Sequence, residues 1–194
     1  EGVMERRIIV VGAGGHGSSV AEAILLRSVD ALVGFVDDGA GTGTTVWDYP
    51  VLGATGALAS LRDRADAVVV AIGNNGVREK LHAQARAAGF ELVTVVHPAA
   101  FVSPRAEMGE GCAVMAGAVV GTESVLGEGV IVNCGATVDH HCRVESFGHL
   151  GVNACMAGGA VLGQRAWMQA GSALGYGVRV DVGEVLVPGE ARSV

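Results

Sequence analysis

Beginning at Val96, every sixth residue is aliphatic or Met for sixteen positions without a slip of phase: Val96, Val102, Met108, Val114, Val120, Leu126, Val132, Val138, Val144, Leu150, Met156, Leu162, Met168, Leu174, Val180 and Leu186. A helix repeats near 3.6 residues and a plain strand near 2, so neither accounts for a period of six. Such a repeat marks a parallel β-helix, a solenoid that stacks short strands into flat sheets. Four residues after each aliphatic the position is small in most hexads, as at Ala118, Ser124, Ala136 and Cys142. Three residues after it Gly recurs, as at Gly111, Gly129, Gly159 and Gly177, where a tight corner calls for φ > 0. A hexad therefore reads as a short strand plus a corner. Three hexads would close one coil, lying ~4.8 Å from the next.

With 194 residues the chain suits one or two small domains. Its apolar content is spread as Ala, Val and Gly, and no run approaches the roughly eighteen residues of a membrane span. The N-terminus shows no charged-then-apolar leader, since Arg6 and Arg7 run directly into a strand; Glu1–Val3, ahead of Met4, read as a stretch foreign to the fold. A net charge of −7 argues against a nucleic-acid surface. All four cysteines lie in the repeat, Cys112 and Cys142 at the small inward position. Packed free thiols in a reducing cytoplasm fit that placement.

The first half, residues 1–95, follows another pattern. Arg7–Val11 is a continuous apolar strand, followed by a Gly-rich turn and a helix to about Arg27. Ala31–Val36 is a second strand, then comes a loop from Gly39 to about Thr45 and a helical stretch near Thr55–Arg62. Ala67–Ile72 is a buried strand, Gly76–Ala88 a helix and Glu91–Val96 a last strand. Alternating strands and helices imply a parallel sheet of Rossmann type. The expected boundary falls near His97-Pro98, giving an α/β domain over 1–95 and a β-solenoid domain over 96–194.

Gly12-x-Gly14-x-x-Gly17 follows a strand, opens a helix and is followed by acids about twenty residues on, the literal spacing of a dinucleotide fingerprint. Three readings stand: a nicotinamide or flavin site, a turn that only packs strand on helix, or a loop whose amides hold the phosphates or sugar of a nucleotide substrate. The third is preferred, because a β-helix is a poor partner for nicotinamide chemistry. Asp37-Asp38 and Gly73-Asn74-Asn75 lie at other strand ends, where open parallel sheets bind ligands. The densest constellation is Asp139-His140-His141-Cys142, with Cys134 and His149 near it. Two solvent-facing histidines are the plain alternative. Zinc is disfavoured, because neighbours along a strand point to opposite faces.

Taken together, Gly12-Ala13-Gly14-Gly15-His16-Gly17, Asp37-Asp38, Ala71-Ile72-Gly73-Asn74-Asn75 with Arg78, His97-Pro98 and Asn133 through His149 resemble the bacterial sugar acetyltransferases of the NeuD/PglD type, over nearly the whole chain. The resemblance implies a small Rossmann-like domain followed by a left-handed parallel β-helix of hexapeptide repeats. It implies acetyl transfer from acetyl-CoA to the amino group of a nucleotide-linked amino-deoxy sugar, without a metal, in a cytoplasmic homotrimer with active sites at subunit interfaces. By the same resemblance Gly14, Gly15, His16, Asp37, Asp38, Gly73 and Asn74 would bind the nucleotide-sugar, and His149, Gly158 and Ala170 acetyl-CoA. His140 would be the general base, with Asp139 and His141 beside it. An imidazole, ordinarily titrating near 6.5, suits that task. The family usually has a carboxylate directly after this His; here His141 stands there, and Asp139 is the candidate substitute. The Gly-x-Pro-Ala tail common among hexapeptide acyltransferases is also missing after Pro188-Gly189. Alternatives are sialic acid O-acetylation, a γ-carbonic-anhydrase-like metalloenzyme, against which the attached α/β domain argues, and a nucleotide-sugar sensor without catalysis.

Overall fold

The structure, a computed structural model, describes residues 5–194; the Glu1–Val3 stretch lies outside them. The chain divides into two compact units, the first ending at Val95 and the second running from Val96 to Val194. No helix among the described residues is long and apolar enough to cross a membrane.

The first unit is an α/β sheet built around β1 (Arg6–Val11), whose last four residues are fully buried. That burial explains its unbroken apolar run. It pairs in parallel with β2 (Asp30–Val36) on one side and β5 (Ala67–Val70) on the other. Helices α1 (Gly15–Arg27) and α2 (Asn75–Ala87) follow β1 and β5. The structure adds a hairpin that the sequence pattern does not announce, β3 (Thr45–Val46) with β4 (Tyr49–Gly53), turned by Trp47 at φ 51°. Pro50 masks the alternation of β4, and its missing N–H is tolerated near a sheet edge. The stretch at Thr55–Leu61 is a 3-10 helix. The expected strand Glu91–Val96 is two: β6 (Glu91–Leu92) extends the first sheet, whereas β7 (Val95–Val96) is the first rung of the solenoid. Sheet order is β3-β4-β2-β1-β5-β6.

The second unit is a left-handed parallel β-helix. Two-residue strands, from Val95–Val96 to Ala191–Arg192, form three sheets of six, six and five strands. Each strand pairs in parallel with the one eighteen residues on, as in Val114↔Val132↔Leu150. Hexad aliphatics from Val114 to Leu186 fill the interior, with Cys112, Ala118, Ala136, Cys142 and Ala154 at the tighter inner positions. Fourteen successive corners, from Gly111 to Gly189, have positive φ; nine are Gly and five are Glu123, His141, Phe147, Asn153 and Arg165. A side chain in that left-handed region costs about 1–2 kcal/mol. The coil imposes it regardless, because corner amides bond back to the preceding coil, His141 N–H to the Thr122 carbonyl at 2.9 Å and Asn153 N–H to that of Cys134 at 3.0 Å.

Candidate active site

In the first unit the strand order reverses between β1 and β5, the place where open parallel sheets bind ligands, beside the loops that leave the strands' C-terminal ends. Two glycines of the first loop are demanded by packing. Gly12 has φ +110°, and a Cβ on Gly17 would strike the Gly12 carbonyl. Gly14 and Gly15 are different, for no atom lies within 4 Å of where their Cβ would stand. Their bareness keeps the α1 N-terminus open. Gly14 also gives α1 no side-chain cap, and its first turn carries no acid. Its leading N–H groups are thus placed for an anion. α2 is closed by comparison, because the Asn74 side chain accepts from Val77 N–H at 3.0 Å.

His16 is half-buried, and its Nε2 is enclosed with no hydrogen-bond partner among the described residues. Desolvation, and secondarily the Arg78 guanidinium, push its pKa down to about 4, so the ring is neutral near pH 7. Arg78 is fully buried and donates to the carbonyls of Ile72 at 2.9 Å and Gly73 at 3.2 Å, and to Asn75 Oδ1 at 2.9 Å. It thereby shapes the β5–α2 loop. Asp37 ties the loops together, accepting from the N–H groups of Ala13, Gly39 and Ala40 at 2.7–2.8 Å. Those bonds, Ala13 first, hold its carboxyl below the usual range. Asp38 is occupied by Thr55, accepting from its N–H at 2.8 Å and its hydroxyl at 2.9 Å. Each carboxylate has lone pairs left, but both already order these loops.

In the second unit, Asp139, His140 and His141 occupy the corner between the strand Thr137–Val138 and the strand Arg143–Val144. Buried Ser124, one coil earlier, clamps that corner: its hydroxyl donates to the Asp139 carbonyl and accepts from Cys142 N–H. The His140 carbonyl accepts from Gly159 N–H at 3.0 Å. Both imidazoles stay open, with 49% of the His140 side chain exposed and 58% of the His141 side chain. The His140 ring lies over Gly158, where a Cβ would overlap ring atoms Cε1 and Nε2. Asp139 Oδ2 is 3.8 Å from His140 Nε2, beyond hydrogen-bond reach. His140 Nδ1 instead faces His141 Nδ1 at 3.0 Å, and His141 Nε2 meets Glu123 Oε2 at 2.8 Å.

Of the residues expected at acetyl-CoA, Gly158 shares the His140 corner. His149 is buried on the solenoid sheet that begins with β7, stacked on Trp167 with ring centroids 5.4 Å apart. Ala170 is exposed at a corner, its carbonyl accepting from Gly189 N–H. Cys142 points inward, and burial pushes its thiol pKa up. On the sheet that leaves the histidine corner, a groove of about 320 Å³ is lined by Val125, Gly127, Arg143, Glu145, Ser146 and Gln164. Among the described residues no group of three or more His, Cys, Asp or Glu is arranged to hold a metal ion. Sequence alone placed Ser124 among the small positions of the hexads but gave neither it nor Glu123 a role at the site. Their signal is the register: they precede His141 and Cys142 by one coil, and Glu123 breaks the run of corner glycines.

Residues 7–85 match the PglD N-terminal domain family. The chain is 35% identical over 115 residues to UDP-N-acetylbacillosamine N-acetyltransferase of Bacillus subtilis, a match covering 57% of this chain and 52% of that protein. The aligned stretch thus spans about half the length of that curated relative. Among solved structures, a His-to-Ala form of GDP-perosamine N-acetyltransferase from Caulobacter crescentus, in complex with CoA and GDP-perosamine, is 37% identical. It superposes with a TM-score of 0.85 over 96% of this chain and 91% of that one. The acetyltransferase domain of PglB from Neisseria gonorrhoeae, in complex with acetyl coenzyme A, is 38% identical, with a TM-score of 0.80 over 96% and 93% of the two chains.

Proposed function

We propose that this chain, which belongs to the NeuD/PglD-type bacterial sugar acetyltransferases, moves the acetyl group of acetyl-CoA onto the amino group of a nucleotide-linked amino-deoxy sugar. The observation that carries the reading is the His140 ring: exposed, seated on a glycine, and engaged at Nδ1, which leaves Nε2 to accept a proton. The neutral sugar amine attacks the thioester carbonyl, forming the C–N bond. The C–S bond then breaks, and CoA leaves as a thiolate. His140 Nε2 takes the amine proton as the amine becomes positive, and the proton passes on to the thiolate or to water. No acyl-enzyme is needed, in keeping with an inward, protonated Cys142.

The uncapped α1 N-terminus, the bare Gly14 and Gly15 and neutral His16 support a nucleotide-sugar in the first unit. The groove beside Arg143 supports a pantetheine path in the second. An amine acceptor is preferred to a sialic acid hydroxyl, because the relatives named for a substrate act on amino sugars. A homotrimer with shared sites, and a cytoplasmic setting where acetyl-CoA is at hand, complete the proposal.

The test is thiol release from acetyl-CoA with a panel of UDP-4-amino-4,6-dideoxy sugars and GDP-perosamine. A general base contributes about 10²–10⁴-fold, so His140→Ala should lose at least roughly a hundredfold in kcat while still binding nucleotide-sugar. Near-full kcat in that variant would remove His140 as the base.

A further inference from the structure

We propose that Glu123 and His141 are positioning residues that fix the tautomer of His140 and stabilise its protonated form, bringing to the base the charge of a carboxylate held one coil away. The inference rests on the acetyl-transfer reading for what His140 does, and on geometry alone for how it is held.

Three groups stand in series: Glu123 Oε2, 2.8 Å to His141 Nε2, then His141 Nδ1, 3.0 Å to His140 Nδ1. An ionised carboxylate can only accept, so His141 carries its proton on Nε2. A neutral His141 then has a lone pair on Nδ1, and His140 must donate Nδ1–H to it. The lone pair of His140 is left on Nε2. The opposite assignment would face the carboxylate with a second acceptor at 2.8 Å. When His140 takes up a proton, its positive charge lies at the end of a polarised chain that terminates in Glu123.

Asp139 does not fix the tautomer: it lies 3.8 Å away on the Nε2 side, near enough to pair with the protonated ring but too far to hydrogen-bond to it. Asp139 and Glu123 are the carboxylates that the structure pairs with these two rings, and Gly158, against the ring from the following coil, brings no charge.

A second observation is independent of the distances. Glu123 and His141 both occupy left-handed corners, at φ 56° and 57°, where nine of fourteen corners are Gly. They are eighteen residues apart, the spacing that stacks corners of adjacent coils. Strained side chains persist where they are over-determined, often at functional sites. Here the two strained residues bond to each other and one of them bonds to the base.

The experiment uses Glu123→Gly, His141→Glu and the double variant in the full chain. Glu123→Gly installs the residue that most corners already have, so folding is not at risk. The kinetics use acetyl-CoA and GDP-perosamine or whichever panel sugar the wild type acetylates. Removing the carboxylate should lower kcat about tenfold or more, a share of a general base's effect. KM should be unchanged, and the acidic limb of kcat/KM should move to lower pH. His141→Glu in the Glu123→Gly background should restore kcat by placing a carboxylate directly beside His140. Wild-type kcat and an unmoved acidic limb in Glu123→Gly would overturn the proposal, as would failure of the double variant to recover. The tautomer is read separately by long-range ¹H–¹⁵N correlation of His140. If no panel sugar is acetylated by the wild type, the acetyl-transfer reading fails, and the spectra alone decide this one. A fixed Nδ1–H form in the wild type that becomes mixed in Glu123→Gly upholds the relay. The same tautomer population in both overturns it.

Discussion

Two residues show how little space separates a working ring from a displaced one. Gly158 lies outside the left-handed region, so Ala is compatible with its φ; the three atoms nearest the added methyl all belong to the His140 imidazole. The ring is the far end of a mobile side chain and would swing aside. Misplacing a reacting group by ~1 Å costs roughly a hundredfold, so Gly158→Ala should lose kcat on that order, with melting temperature and far-UV dichroism nearly unchanged. His16 makes a different prediction. Its folded pKa of about 4 lies below the unfolded value of 6.5, so the unfolded state takes up its proton first as pH falls. The associated stability is present above 6.5 and is lost through the window down to about 4, a loss on the order of 3 kcal/mol. His16→Gln should flatten the fall in melting temperature across that window relative to wild type. Of the candidate residues, His140 stood out in sequence as an imidazole inside a register. Glu123 did not, because its significance depends on what lies eighteen residues later rather than on any neighbour in the chain.

Elements were legible where a period was long and unbroken. The solenoid's inward positions, its corners and its rise by eighteen residues per coil all follow from the hexads, since each strand is only two residues long and each corner repeats one geometry. β1 and the two helices of the first unit were equally plain, being a buried apolar run and two stretches that open beside glycine or asparagine. The β3–β4 hairpin was hidden, for its strands are short, one carries Pro50, and its turn uses Trp47 in place of a Gly. The division of Glu91–Val96 was hidden for another reason. Apolar residues run through both halves, and only pairing partners distinguish Leu92, beside Val68, from Val95–Val96 in a solenoid sheet.

The whole molecule carries one expectation that single elements do not. A solenoid coil has a thin cross-section, and apolar residues such as Phe101 at 57% and Val182 at 63% remain exposed on its outside. Side-by-side packing around a threefold axis would cover such surface. Light scattering at micromolar concentration should therefore return three times the chain mass of 19.5 kDa. A monomer at that concentration would leave the proposed shared site without its second wall.

The vertical stacking of corners has a further consequence for how such a chain can change over generations. Glu123 reaches His141 only because the count between them closes one turn of the prism. A whole turn inserted or removed elsewhere would lengthen or shorten the column and leave that pair aligned. A single residue gained or lost between them would rotate one corner off the other, severing the contact without altering any of the participating side chains. Selection on this part of the molecule should therefore act on its arithmetic as strictly as on its chemistry.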